Sequence, residues 1–213
     1  MSHDGTRPPG GIDRIFPIET GDGCPFHIAA ATLAPDRWGR RRVVSGRGLT
    51  ADEAKRNCLF EAAERHAALY DDARVTVRGR AREMDNALPV SSLLLISEQQ
   101  YQQRTAWNSA VEADHHLPAP FDADTVTGWV EATPLHGGAR RPAPAAVCFL
   151  GYPTALPEGF PVPDSSGLAS GATPEDAVAR ALHECIERDA VAIWWYNRIR
   201  RPSPVFAASP VQD

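Results

Sequence analysis

Apolar and polar positions along the chain predict a mixture of strands and helices. Strands are predicted where apolar and β-branched residues cluster, at 26–33, 42–45, 74–77, 90–95, 127–134 and 145–152. Apolar residues at helical spacing predict two long helices, one from Thr50 to about Tyr70 and one from Thr173 through Trp195. A short helix is predicted around 101–104, and the proline-rich segment 153–163 is predicted to be irregular.

Both long helices begin with capping signals. Thr50 is followed three residues later by Glu53, the spacing of a capping box. Thr173 is followed by Pro174, and proline is favoured at the first position of a helix.

The two helical segments repeat one another. Residues 48–67 align with residues 171–190 at one constant offset without a gap, so that the two capping threonines coincide. A charged E-x-x-E-R pattern recurs in both: Glu61, Glu64 and Arg65 in the first helix, and Glu184, Glu187 and Arg188 in the second. A shared cap together with a shared charge pattern indicates an internal duplication.

This repeat places two carboxylates on one face of each helix, because residues three apart are neighbours on a helix surface. If the helices pack side by side, four carboxylates converge, and their repulsion favours a bound cation. Carboxylate oxygens suit Mg²⁺, which usually arrives with phosphates. Arg188 would then be placed to bind a phosphate oxygen.

A plainer interpretation is that each glutamate and the arginine four residues later form an ordinary ion pair on a helix surface. The first helix has a conventional amphipathic pattern, which suits that interpretation. The second helix is apolar on nearly every side of its charges, so it is expected to be buried. Buried charges are costly without a partner, and this favours a ligand there.

Composition narrows the class of protein. The 213 residues suffice for one large domain, and 43% of them are apolar, enough for a core. A net charge of −5 argues against a nucleic-acid partner, and no apolar run approaches the roughly 18 residues of a membrane span. No signal peptide is recognised, and four scattered cysteines suggest reduced thiols, so a cytoplasmic protein is expected.

The small-residue loop 164–171 precedes a helix, where anions bind, but it lacks the G-K-[ST] of a P-loop.

Several segments resemble the YcaO family. Residues 165–171, Ser-Ser-Gly-Leu-Ala-Ser-Gly, followed by Thr173 and by residues 184–190, are similar to the central YcaO signature. Residues 46–50 leading to 61–65 resemble the family's first nucleotide-site helix. The azoline-forming branch of the family is similar at residues 97–101, Trp129, 145–153 and 192–197. The whole resemblance covers roughly residues 12–200.

The resemblance implies an α+β fold with an internally duplicated helix-and-sheet unit around a nucleotide site. It implies a flexible arm at 1–11, a YcaO-type domain at 12–200 and a proline-containing tail at 201–213. The cofactors would be ATP and Mg²⁺. The implied metal-facing residues are Glu61, Glu64, Glu184 and Glu187, and the implied nucleotide-binding residues are Asn57, Ser166 and Arg188. Asn57 stands where the family usually carries serine, and its amide can still donate to a phosphate.

The implied activity is ATP-dependent cyclodehydration, in which phosphorylation of a backbone amide oxygen lets a Cys, Ser or Thr side chain close a thiazoline or oxazoline. The implied partners are a ribosomal precursor peptide and a leader-peptide-binding protein, with a homodimer as a further expectation. Family members continue well past the second helix, so the resemblance predicts a domain truncated at its C-terminus. Two alternatives stay open: thioamide or amidine formation by the same activation, and a non-catalytic remnant that binds a peptide or partner.

Overall fold

The computed structural model describes residues 11–21, 23–35 and 41–202. It contains six strands: β1 (Ile12–Ile18), β2 (His27–Leu33), β3 (Val43–Gly48), β4 (Val77–Arg80), β5 (Val126–Ala132) and β6 (Arg141–Pro144). It contains five α-helices: α1 (Ala51–Ala68), α2 (Val90–Leu94), α3 (Glu98–Asn108), α4 (Ala145–Cys148) and α5 (Pro174–Tyr196). The predicted mixture of helix and sheet is therefore confirmed. Most of the predicted arm and tail lies outside the described residues.

The first sheet has the antiparallel order β1-β2-β3, with α1 packed on one face. The sheet offers small and β-branched side chains to α1, including Ala29, Ala31 and Val44. The helix approaches closely because Gly46 has no side chain: a Cβ there would lie 2.1 Å from the backbone nitrogen of Cys58. This unit fixes the position of α1.

The second sheet has the antiparallel order β4-β5-β6 and holds the larger core. Trp129 and Phe160 are fully buried in it, and the Trp129 indole nitrogen donates to the Gly79 carbonyl at 3.0 Å. The irregular segment after α4 is tied to β5 through Glu158, whose carboxylate accepts from the Tyr152 hydroxyl at 2.9 Å and from Thr127. These bonds hold a proline-rich segment in place without regular structure.

Three predicted strands are wrong. Residues 90–94 form α2, which is followed by Leu95 in the left-handed conformation, and residues 145–148 form α4. The strand predicted at 74–77 begins only at Val77, after a 3₁₀ turn at Asp72–Arg74. Short apolar runs fit both helix and strand, so periodicity alone does not separate them. Two further strands, β1 and β6, were not predicted; β6 contains two prolines, which an edge strand tolerates.

The expectation that the second long helix is buried is also wrong. None of the residues of α5 is buried, and Ile186, Trp195 and Tyr196 are 66%, 67% and 82% exposed. Among the described elements, no strand or helix packs extensively against α5 as β2 and β3 pack against α1. Glu187 and Arg188 are accordingly exposed rather than buried charges. No helix in the described ranges has the length and apolar character needed to cross a membrane.

Candidate functional site

The two repeated helices begin in the same way. The capping residues Thr50 and Thr173 have nearly identical backbone angles (φ −126°, ψ 158° and φ −131°, ψ 163°), and each hydroxyl accepts from the backbone N–H three residues later at 3.2 Å. The Glu53 carboxylate completes a variant of the predicted capping box by accepting from the N–H of Leu49 at 2.9 Å.

The close approach before each cap is also repeated. A Cβ on Gly48 would lie 2.4 Å from the Cβ of Glu53, and one on Gly171 would lie 2.7 Å from the Cβ of Asp176. Neither glycine could carry a side chain without moving the helix. The duplication seen in the sequence is therefore also a duplication of local structure.

An open cleft of about 450 Å³ lies between α1 and α5. Its lining consists of Asn57, Phe60, Glu61 and Glu64 from α1, residues 168–170 from the loop, and Arg180 and Glu184 from α5. Three of the four glutamates proposed to face a metal therefore share one cleft with Asn57.

The cleft has the symmetry of the repeat. Glu61 and Glu184 occupy equivalent positions of the two helices, and so do Asn57 and Arg180. Arg180 was not singled out from the sequence, although the repeat would have marked it as the counterpart of Asn57. Its guanidinium carbon lies 5.8 Å from the centre of the Phe60 ring, which brings a cation to a cleft lined by carboxylates.

The carboxylates in the cleft repel one another. Burial is the largest cause that raises the pKa of Glu64, and the charges of Glu61 and Glu184 add to it; the result is a pKa of about 7. Arg65 and a hydrogen bond from the backbone of Ser170 act in the opposite direction. A divalent cation in this cleft would neutralise the repulsion.

The ordinary ion pairs of the plainer interpretation are present as well. Arg65 Nε lies 2.9 Å from Glu61 Oε1, and Arg188 Nη1 lies 3.9 Å from Glu184 Oε1. The second oxygen of Glu184 accepts from the N–H of Gly167 at 3.1 Å. Glu61 and Glu184 thus form ion pairs with arginines of their own helices and also line the cleft.

The remaining predicted site residues lie outside this lining. Glu187 is exposed, and Arg188 reaches Asp164 at 4.0 Å. Ser166 is exposed, and its N–H donates to Asp164 at 2.7 Å. Within the described ranges, no three His, Cys, Asp or Glu side chains stand close enough together to hold a metal ion. The donors fit Mg²⁺ in chemistry, since all are carboxylate oxygens, but they are spread along the cleft rather than gathered around one point.

A family model described as YcaO cyclodehydratase, ATP- and Mg²⁺-binding, matches residues 45–212. The chain therefore belongs to the YcaO family. This confirms the family resemblance, and it confirms ATP and Mg²⁺ as the cofactors of the family.

Solved structures support the same fold. A heterocyclase in complex with substrate and cofactor matches with a TM-score of 0.75 and 30% identity over 90% of this chain and 27% of that chain. The heterocyclase TruD matches with a TM-score of 0.63 and 30% identity over 76% of this chain and 24% of that chain. A YcaO protein from Methanopyrus kandleri, bound with AMPPCP and Mg²⁺, matches with a TM-score of 0.62 and 23% identity over 93% of this chain and 44% of that chain. The YcaO-like fold is thus confirmed.

A curated relative from Methanothermobacter thermautotrophicus, described as an uncharacterized protein, is 28% identical over 193 residues. The match covers 88% of this chain and 43% of the relative. The chain therefore spans less than half the length of this relative and of each solved structure above.

Proposed function

We propose that the cleft between α1 and α5 binds Mg²⁺ and the phosphates of ATP, and that the chain serves ATP-dependent cyclodehydration of a peptide. One observation carries the proposal: Glu61, Glu64 and Glu184 come from two duplicated helices and share one cleft. Membership of an ATP- and Mg²⁺-binding family supports it. When bound, the nucleotide supplies the phosphoryl group that activates an amide oxygen.

The charged and polar residues in and near the cleft can bind Mg²⁺ or phosphate. Because the three carboxylates are spread along the cleft, one or two of them would hold Mg²⁺ through oxygen atoms, and the phosphates would supply further oxygen ligands. Asn57 already donates to the Arg47 carbonyl at 2.8 Å, which orients its amide at the cleft. Arg180, and Arg188 after a change of rotamer, would offer guanidinium donors to phosphate oxygens. Glu187 and Ser166 remain proposals from the family resemblance, because they lie outside the cleft lining.

The substrate of the proposal is a ribosomally synthesised precursor peptide, in which Cys, Ser or Thr is converted to a thiazoline or oxazoline. Two heterocyclases are 30% identical to the matched parts of the chain, and one of them is described in complex with its substrate. A leader-peptide-binding protein is the proposed partner, and the proposed location is the cytoplasm.

A second candidate is a module that binds a peptide or a partner without catalysis. It is favoured by the exposed apolar surface of α5. Because both candidates predict a folded chain, nucleotide binding distinguishes them.

The experiment is calorimetric titration of ATP into the 213-residue chain with and without Mg²⁺. Saturable binding that requires Mg²⁺ is expected, and the double variant Glu64→Gln, Glu184→Gln should abolish it. Glu98→Gln is the matched control, because Glu98 is an exposed carboxylate on α3 outside the cleft. No binding by the folded wild-type chain would overturn the enzyme proposal and support the binding module.

A further inference from the structure

Ser170 joins the loop before α5 to α1 through its side chain. Its hydroxyl donates to the backbone carbonyl of Phe60 at 2.8 Å, across 110 positions of sequence. In an α-helix the carbonyl of Phe60 also accepts from the N–H of Glu64, four residues later. The hydroxyl therefore binds the helical turn that carries Glu61 and Glu64.

The backbone of Ser170 reaches the same turn. Its main chain also lowers the pKa of the Glu64 carboxyl, so Ser170 acts on that turn through its backbone as well as through its hydroxyl bond. Ser170 is half-buried and lines the cleft, which leaves the bond partly protected from water.

The same loop also binds the second helix. Gly167 donates its N–H to Glu184 Oε2 at 3.1 Å, three residues before Ser170. In the described part of the chain, α1 and α5 have no extensive packing against each other. The loop 167–170 therefore bridges the backbone of α1, through the Ser170 hydroxyl, and a carboxylate of α5, through the Gly167 N–H.

We infer that Ser170 is a positioning residue: its hydroxyl bond to Phe60 fixes the spacing between the α1 carboxylates and Glu184, and so the affinity of the cleft for Mg²⁺ with a nucleotide. This inference rests on the proposed function of the cleft. Ser170 itself contributes no ligand atom to the ion. Its effect passes through Glu64 and, by way of Gly167, through Glu184.

The test compares Ser170→Ala, which removes the hydroxyl, with Ser170→Thr, which keeps it. The probe is the ATP analogue AMPPCP with Mg²⁺, titrated calorimetrically. One lost hydrogen bond predicts about fivefold weaker binding for Ser170→Ala, and Ser170→Thr should restore the wild-type value. Ser92→Ala is the matched control, since the Ser92 hydroxyl also donates to a carbonyl, that of Pro89 at 2.7 Å, and neither residue lines the cleft.

A second measurement needs no ligand. Amide hydrogen exchange at residues 167–170 should become several-fold faster in Ser170→Ala, return in Ser170→Thr, and stay unchanged in Ser92→Ala. Equal exchange and equal affinity in Ser170→Ala and the wild type would overturn the inference, as would equal losses in the alanine and threonine variants. If the wild-type chain binds no AMPPCP, the proposed function fails, and the exchange rates alone decide whether Ser170 holds the two helices in register.

Discussion

The helices α1 and α5 carry the same sequence pattern and the same cap, yet their surroundings differ. On α1 the small side chains of Ala54, Cys58 and Ala62 face β2 and β3 and are at most 1% exposed. On α5 the equivalent positions are Ala177, Ala181 and Cys185, and none of them is buried. A stripe of small residues thus packs closely against a sheet in one repeat and is only partly covered in the other.

The difference shows what a helical pattern specifies. Periodicity and capping decide that a helix forms and which face it offers, because both are local. Whether that face is covered depends on a sheet whose residues lie elsewhere in the sequence. The close approach at Gly46 marks such a sheet for α1, while the equivalent position before α5 is Ala169, on a segment that joins no strand.

The largest expected effect is on cysteine reactivity. Cys58 is fully buried and burial raises the pKa of its thiol, whereas Cys185 is exposed. Iodoacetamide should therefore label Cys185 at least about a thousandfold faster, because Cys58 reacts only when the fold opens. Peptide mass spectrometry over a time course measures both rates.

Cys24 is a further exposed thiol and gives the reference rate for an accessible cysteine. In denaturant all the cysteines should react alike. If native Cys185 were protected as strongly as Cys58, α5 would be covered in solution, and dilution would then show whether a second copy of the chain covers it.

A smaller effect is expected from matched alanine substitutions. Ala54→Leu inserts a large side chain between α1 and its sheet and should lower the free energy of unfolding by about 1–3 kcal/mol. Ala177→Leu, at the equivalent position of α5, should change it by less than about 0.5 kcal/mol. Urea unfolding followed by circular dichroism measures both, and equal losses would contradict the different burial of the two helices.

Much of the fold was predictable because its signals are local. Both long helices form within two residues of their predicted limits, and the strands β2 and β5 lie where β-branched and apolar residues predicted them. The segments 90–95 and 145–152 were mistaken for strands because tertiary packing decides the structure of short apolar runs. The exposure of α5 could not be predicted either, because the sequence of an apolar helix does not specify which other part of the protein packs against it.

The candidate site was predictable through its repeat. The E-x-x-E spacing identified the three glutamates that share the cleft, and the family resemblance identified Asn57. Arg180 and Ser170 were missed: the first was hidden until the repeat was applied to Asn57, and the second acts through a contact between distant segments. The metal-binding and nucleotide-binding roles of these residues stay predictions.

The smallest expected effect separates the two E-x-x-E motifs by pH. The pKa of Glu64 is raised from 4.5 to about 7 in the folded chain, mainly by burial and by repulsion from Glu61. The folded state therefore binds a proton that the unfolded state releases, so this contribution to stability is fully present below pH 4.5 and is lost as the pH rises through 7.

In Mg²⁺-free buffer, Glu64→Gln should be slightly more stable than the wild type at pH 8, and the difference should vanish towards pH 5. Glu187→Gln is the matched control, because Glu187 is exposed and its replacement should change the free energy of unfolding by less than about 0.5 kcal/mol. Adding Mg²⁺ at pH 8 should reverse the order of Glu64→Gln and the wild type, because only the wild type keeps the carboxylate that the ion needs. Identical pH profiles for the two variants would mean that the carboxylates of α1 do not meet as the cleft requires.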